Sequence, residues 1–488
     1  MKVIVVGAGI AGLTAALSLR RAGHSVQVFE RSQLLHEVGA AIYVPPNATR
    51  FLTALGLDPT ALGFVQQKRA SLVNRHTLEP EVELANGETA VRVGGAKLWY
   101  AHRVDLHSGL KELATGRGAG TRVEIHAGQR VVSYNPGTPS ITLENGTEVT
   151  GDLVVCADGV RSGATQVVHG QPVAQCDPRP MNCAYRFLIP ADVLERDDKT
   201  IWFNESCDGW TRIFADVSAD KRLVSYPCRN NTIHNFVLLV YEPRGDGAVE
   251  DWKAGVPVEE VLDRIASFSP RLKQVVSKAT EVKKWPLISR NPIPRWSKGC
   301  MTLAGDAAHP MLPHQGQGGA QALEDGVALG IVMHGATDAS DIEARLAIYE
   351  KVRRNRASAI QTLSNTGQDQ VQRISHQLAE YMAPEQIPQT PGDIFQYTYG
   401  FDVVRETLGA MRDYQPGFQL PRDFFEREVL GVPGRHVAQS WLGWGQFGVA
   451  ACRSDTDMNT EYRVSMRWTV QRLQTLDSVV RERKTSFH

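Results

Sequence analysis

The chain lacks an excess of either charge: 53 Lys and Arg stand against 53 Asp and Glu in 488 residues, so the formal net charge is zero with histidines neutral. Without a basic surplus, electrostatic capture of nucleic acid is excluded as its main business. It also lacks any Cys-x-x-Cys, and its seven cysteines, at 156, 176, 183, 207, 228, 300 and 452, are an odd and scattered set. That excludes a disulfide framework and a cysteine zinc site, so no metal is expected, and reduced thiols in a cytoplasmic compartment are the default. No run approaches the about 20 apolar residues of a membrane span, and the longest, 236–241, is strand-sized. Internal repeats are absent. The apolar stretch from Met1-Lys2 through Leu19 superficially resembles a secretory signal, but glycines at 7, 9 and 12 break it at fixed spacing. The sequons at Asn47, Asn145, Asn204 and Asn230 then carry no weight. What is present is an ordinary globular composition, 42% hydrophobic and 22% charged, long enough for about three structural units.

The strongest local signal is the beginning. Lys2 to Val6 is a mostly β-branched run, Gly7-Ala8-Gly9-Ile10-Ala11-Gly12 follows, Leu13 to Arg21 has helical composition, and Ser25 to Phe29 is a second strand closed by Glu30. In such a strand–turn–helix–strand unit, Gly7 permits the tight turn, Gly9 lets the backbone approach a pyrophosphate, and Gly12 lets the helix pack close to the sheet. The helix N-terminus offers unpaired amides and a positive dipole end to the phosphates. Glu30, 23 residues after Gly7, is placed to accept hydrogen bonds from ribose hydroxyls and disfavours a 2′-phosphate, so the tightly held nucleotide should be FAD or NAD and not NADP. The same pattern recurs at Gly443-Trp444-Gly445-Gln446-Phe447-Gly448, but no strand precedes it and no helix follows, so it reads as an aromatic, glycine-rich loop.

Two later runs end in acidic turns. Leu153 to Ala157 leads into Asp158-Gly159-Val160-Arg161-Ser162, and Met301 to Ala304 leads into Gly305-Asp306-Ala307-Ala308-His309-Pro310. Each places its turn at the carboxyl end of a strand, where open α/β sheets bind ligands. Taken singly, either could be a plain Asp-Gly turn.

With these residues, Gly39-Ala40-Ala41-Ile42, Pro46-Asn47-Ala48, His102-Arg103-Val104-Asp105-Leu106 and above all the run from Pro313 to Asp325, the chain resembles the class A flavoprotein aromatic monooxygenases. This is the para-hydroxybenzoate hydroxylase group, and the likeness is to salicylate hydroxylase and its fungal relatives over about residues 1 to 410. The resemblance implies an α/β fold: a Rossmann-like FAD-binding domain from 1–75, 101–180 and 299–340, an interleaved mixed β-sheet substrate domain from 76–100 and 181–298, C-terminal helices over 341–410, and an extension over 411–488. It implies that Glu30, with Arg31 beside it, holds the adenosine ribose. Arg103 would reach the ribityl or pyrophosphate region and Asp306 a ribityl hydroxyl. Asp158 and Arg161 would brace the nucleotide and help NADH or NADPH dock. Ala41, Pro313, Gly318 and Gly319 would lie against the isoalloxazine, with a helix beginning near Ala320 stabilising the reduced flavin. Ala41 stands where glycine is frequent in the family, and His314 and Ala320 replace a tyrosine and an asparagine.

The implied reaction is FAD reduction by transient NAD(P)H, formation of a C4a-hydroperoxide with O2, and attack of its distal oxygen on an electron-rich ring. The outcome would be hydroxylation, decarboxylative hydroxylation or dearomatisation of a phenolic substrate. A flavin oxidase or dehydrogenase, or a non-catalytic redox sensor, remains open on the same scaffold. Asn182 to Pro190, Arg222 to Pro227 and Asn235 to Tyr241 read as strands of the substrate sheet, and the family role of an arginine and a tyrosine falls on Arg186 and Tyr226. The duller readings are a solvated arginine and an edge-strand Tyr-Pro. His309 is expected to cap its loop, and His314 is a candidate contact for substrate or flavin. Trp202, Phe203, Trp210 and Phe214 read as core or pocket lining. Glu343 to Thr366 is an amphipathic helix with Arg353, Arg354 and Arg356 exposed. The stripe Tyr462, Met466, Val470, Leu473, Leu476 and Val480 would pack on its own subunit or form a homodimer contact.

Overall fold

The run Lys2–Val6 is apolar on both faces because it is the interior strand of a parallel sheet. This computed structural model describes residues 1–33, 40–173, 181–216, 221–242, 255–287, 290–365 and 371–427. The first sheet orders its six strands as Ser297–Lys298, Met301–Leu303, Leu153–Cys156, Lys2–Val6, Ser25–Glu30 and Glu124–Ala127. All neighbours are parallel except the first pair. Val3, Ile4, Val5, Leu153, Val154 and Val155 are fully buried. The helix Ile10–Arg21 packs chiefly on the helix Gly318–Met333. The two acidic turns therefore emerge side by side with the glycine turn, at the carboxyl ends of adjacent strands.

The second sheet has eight strands, in the order Gly255–Val256, Val282–Pro286, Met181–Pro190, Ile233–Glu242, Lys221–Cys228, Trp210–Asp216, Arg69–Val73 and Pro80–Asn86. The three strands expected from sequence are present, each longer by one to a few residues, and the mixed character comes from one parallel pair, Trp210–Asp216 with Arg69–Val73. The chain enters this sheet at Arg69, before residue 76, where the second unit was expected to begin. One face carries Tyr185, Phe187, Phe214, Leu223, Phe236 and Leu238 against the helices Val258–Arg264 and Pro270–Val276. Phe203 and Phe214 belong to this dry core, and Trp202 and Trp210 pack at its edge. A small sheet of Ala41–Val44, Trp99–His102 and Val65–Gln66 stands between the two large ones.

The amphipathic helix expected over 343–366 runs Ala339–Leu363, started by Asp338, whose side chain accepts from the Ser340 and Asp341 amides. The expected exposure of its arginines is corrected. Arg353 and Arg356 are buried, 0% and 5% exposed, because they face two carboxylates on Gly318–Met333; only Arg354 reaches solvent. The segment past 411 packs on the first unit as far as 427, with Met411, Phe418, Phe424 and Phe425 buried and Arg21 donating to the Phe424 carbonyl at 2.9 Å. The stripe from Tyr462 to Val480 and the glycine pattern at 443–448 lie outside the described residues. Among the described residues no helix is long and apolar enough to cross a membrane.

Candidate active site

At Gly7 the backbone takes φ +97°, and a Cβ there would stand 2.4 Å from the Ala157 carbonyl oxygen; one on Gly12 would stand 1.9 Å from Gly7 O. Only glycine lets the turn pass between two strands and the helix seat on it. Over Gly9 the space is open, with nothing within 4 Å of a Cβ, and the helix Ile10–Arg21 starts there without a side-chain cap. Its first amides are thus left for a ligand. Glu30 is fixed by two amides, Ala8 N–H on Oε2 and Ser32 N–H on Oε1, both at 2.8 Å. Each oxygen keeps a lone pair for a ribose hydroxyl. Open space above Gly9, uncapped amides and an anchored carboxylate fit an adenine dinucleotide.

Arg31 is exposed next to Glu30. Asp158 accepts from the Tyr134 hydroxyl at 2.6 Å, and burial pushes its carboxyl up while Ser162, Tyr134 and the charge of Arg31 draw it back. Arg161 is exposed, just before the helix Gly163–His169 that Ser162 caps through the Ala164 amide at 3.2 Å. Tyr134 was missed in the sequence because its link to Asp158 crosses 24 residues.

The other turn is held from behind. Asp325 Oδ2 accepts the Gly305 amide at 2.8 Å and lies 2.6 Å from His309 Nε2, so His309 does brace its loop. The Asp306 side chain reaches solvent. The protein around it still disfavours its charge and raises its carboxyl, against the charges of His309, Arg103 and Arg290. Arg290, unmarked in the sequence, donates to the Ala307 carbonyl; burial lowers it to about 10 with Asp306 opposing. Arg103 opens the helix Arg103–Thr115 with its amide on Ala40 O at 3.0 Å. The structure thereby brings Arg103, Asp306 and the Ala41 strand together.

The helix after Pro313–Gln315 begins at Gly318, two residues before the expected Ala320. Gly318 and Gly319 form its first turn, and a Cβ on Gly319 would meet Ile42 Cδ1 at 2.6 Å, so this helix start and the strand Ala41–Val44 close on each other. Beneath it lies a charged cluster. Arg353 pairs with Glu324 and, at 2.9 Å, with Asp325. Arg356 grips Glu324 with two bonds of 2.8 Å, and Asn47 adds one of 2.6 Å. Burial works to raise both carboxyls, yet both are held below the usual range: Arg356 and Arg353 outweigh it at Glu324, His309 and Arg353 at Asp325.

On the second sheet, Arg186 and Tyr226 share the face away from the helix-covered core. The Arg186 guanidinium stacks on Trp285 at 4.8 Å, and its buried Nε has no hydrogen-bond partner among the described residues. Burial lowers its pKa, with Tyr226 opposing and Arg103 adding to the shift. Tyr226 is buried in a three-ring cluster with Tyr43 and Tyr100, and its hydroxyl donates to Ala41 O at 3.0 Å. Asn235, on the neighbouring strand, accepts the Ala41 amide at 3.1 Å, and its Nδ2 has no partner among the described residues. Sequence reading passed over Asn235; the available signal was an amide at the start of the apolar run Phe236 to Tyr241. His314 has interactions of its own and its ring carries no further assignment.

Comparison with known proteins agrees with this geometry. The family described as FAD binding domain matches residues 1–364. The FAD-dependent monooxygenase cfoG of Aspergillus candidus is 47% identical over 88% of this chain and 99% of its own. The 3-hydroxybenzoate 6-hydroxylase 1 of Aquipseudomonas alcaligenes is 31% identical over 83% of this chain and 98% of its own. A salicylate hydroxylase substrate complex superposes with a TM-score of 0.64, at 23% identity, over 84% of this chain and 98% of that one. The chain belongs to the FAD binding domain family. Within it, the protein is an FAD-dependent monooxygenase.

Proposed function

We propose that this protein uses NADH or NADPH and O2 to insert one oxygen atom into a phenolic or related aromatic substrate, in a cytoplasmic compartment where the described cysteines stay free. The observation that carries the reading is Arg186: a half-buried cation without an ion-pair partner among the described residues, on the sheet face whose next residues hold Ala41. A buried, unpaired charge is costly unless something answers it, and a phenolate or carboxylate does. FAD, when bound, supplies the redox and oxygen-transfer chemistry. Glu30 and Arg31 hold its ribose, and the amides after Gly9 take its pyrophosphate. Arg103 and Asp306 hold the ribityl chain, with Asp158 and Arg161 bracing the nucleotide and aiding NAD(P)H docking. Ala41, Pro313, Gly318 and Gly319 flank the ring. Arg186 orients the substrate and favours its deprotonated, more electron-rich form. Tyr226 acts through Ala41: with its hydroxyl bonded there, it sets the distance between the sheet and the ring.

The test is NAD(P)H oxidation by the yellow holoprotein with a panel of phenols and aromatic acids under 18O2. One panel member should accelerate oxidation and leave labelled product. Arg186→Ala should keep FAD bound and lose about tenfold to a hundredfold in product formation, the scale of a lost charge-assisted contact. Peroxide produced without NAD(P)H would establish an oxidase instead.

A further inference from the structure

The second sheet has one face that its helices do not cover. Register pairs join Arg186 to Val237, Val237 to Val224, Val224 to Ile213 and Ile213 to Leu72, so these five side chains form one row on a single face. Their neighbours on the opposite face, Phe236, Leu223, Phe214 and Val73, are 0–2% exposed in the core. The four apolar members of the row are only half-buried. Four strand spacings separate Arg186 from Leu72, about 19 Å. The row is apolar from Val237 onward and cationic at its other end, where Lys283 is the register partner of Arg186. One pleat along the same strands, Tyr226 and Asn235 hold Ala41, so the row runs beside the elements assigned to the flavin. At the far end Tyr43 reaches over it to Thr211 at 3.3 Å.

A floor of this length is poorly matched to a lone benzoate ring, which spans less than half of it and leaves the half-buried Ile213 and Leu72 uncovered. An occupant long enough to reach them gains by drying that remaining apolar surface. We propose that the substrate is an elongated aromatic compound of at least two rings, with its acidic group at Arg186 and Lys283 and its apolar body over Val237, Val224, Ile213 and Leu72. This rests on the monooxygenase reading of the same site and adds the shape of what enters it. A shorter phenol binds at the Arg186 end alone.

The experiment titrates the holoenzyme with 4-hydroxybenzoate and with 4′-hydroxybiphenyl-4-carboxylate, following the flavin difference spectrum. The second ring should tighten binding about tenfold or more, the scale of one further phenyl group leaving water. Ile213→Asn should bring the two affinities together; if that variant does not hold FAD, Ile213→Thr should narrow the ratio in the same direction. Equal affinities in the wild type, or a ratio that neither variant changes, overturn the proposal. If ring-dependent NAD(P)H oxidation persists in that case, the monooxygenase reading stands by itself. A flavin that responds to neither compound overturns both.

Discussion

Arg353→Met separates what the chain suggests from what the fold does with it. As a solvated residue on an amphipathic helix, Arg353 would contribute little, about 0–1 kcal/mol. In the structure its side chain and those of both its partners are 0% exposed. It also bonds Gln321 Oε1 at 2.8 Å. Removing one member of such a cluster leaves buried carboxylates under-compensated, which costs about 3–5 kcal/mol. Asp325 keeps His309 and the Gly305 amide, and Glu324 keeps Arg356 and Asn47, so the lower end applies, about 3 kcal/mol. The assay is guanidinium unfolding of the holoprotein read by both flavin and tryptophan fluorescence, where the loss appears as a lower midpoint at unchanged slope. Arg354→Met is the control. Its side chain is 36% exposed and stands 3.9 Å from Glu350, and it should lose about 1 kcal/mol at most. Because Glu324 and Asp325 are depressed, their contribution is complete above ordinary carboxylate values and is lost as pH falls through the depressed ones. The gap between wild type and Arg353→Met should therefore narrow below about pH 4. Equal losses for the two variants, or a loss under about 1 kcal/mol for Arg353→Met, would refute the cluster as described.

Asp306 is raised in the protein without ligand, so its charge opposes folding once pH exceeds the ordinary carboxyl value, fully so above the raised one. Asp306→Asn should leave the apoprotein melting at or above the wild-type temperature near pH 8 while weakening FAD; a lower melting temperature with FAD retained would contradict this. Glu30→Ala should weaken FAD about a hundredfold or more, two charge-assisted contacts being lost, as read from flavin content after gel filtration, and full yellow protein would remove Glu30 from the site. His234, bonded to Asn204 Oδ1 at 2.7 Å, is lowered to about 3 by burial and the charge of Arg212. Its share of stability is present above about pH 6.5 and is lost as pH falls towards the depressed value, so His234→Gln should flatten the acid limb of a melting-temperature profile between about pH 6.5 and 4, and an unchanged limb would count against the burial.

The nucleotide end was legible because its constraints are local. A β-branched run, three glycines and an acid closing the next strand dictate a turn in which Gly7 alone tolerates φ +97°, and no distant residue is needed to predict it. The same holds for the strands carrying Arg186 and Tyr226, whose alternation shows in the chain. Arg353 and Arg356 were misplaced because helical periodicity assigns arginines to water by default, and only the docking of Gly318–Met333 brings Glu324 and Asp325 against them. The start of that helix shifted from Ala320 to Gly318 because glycines argue against helix by propensity, while close packing on Ile42 requires glycine at 319.

The sequence by itself determined that a dinucleotide is held at the first strand–turn–helix unit, since that follows from glycine spacing within one short segment; the flavin and the other candidate site residues came from the likeness of longer motifs to a known family. Tertiary structure alone decided how Arg103, Asp306, Ala41 and Arg186 converge from segments far apart in the chain, that the Tyr226 hydroxyl is already committed to Ala41, and that five strands lay one apolar row with a cationic end at Arg186 and Lys283. Those are properties of register and of charges brought out of water together, and neither exists before the strands pair.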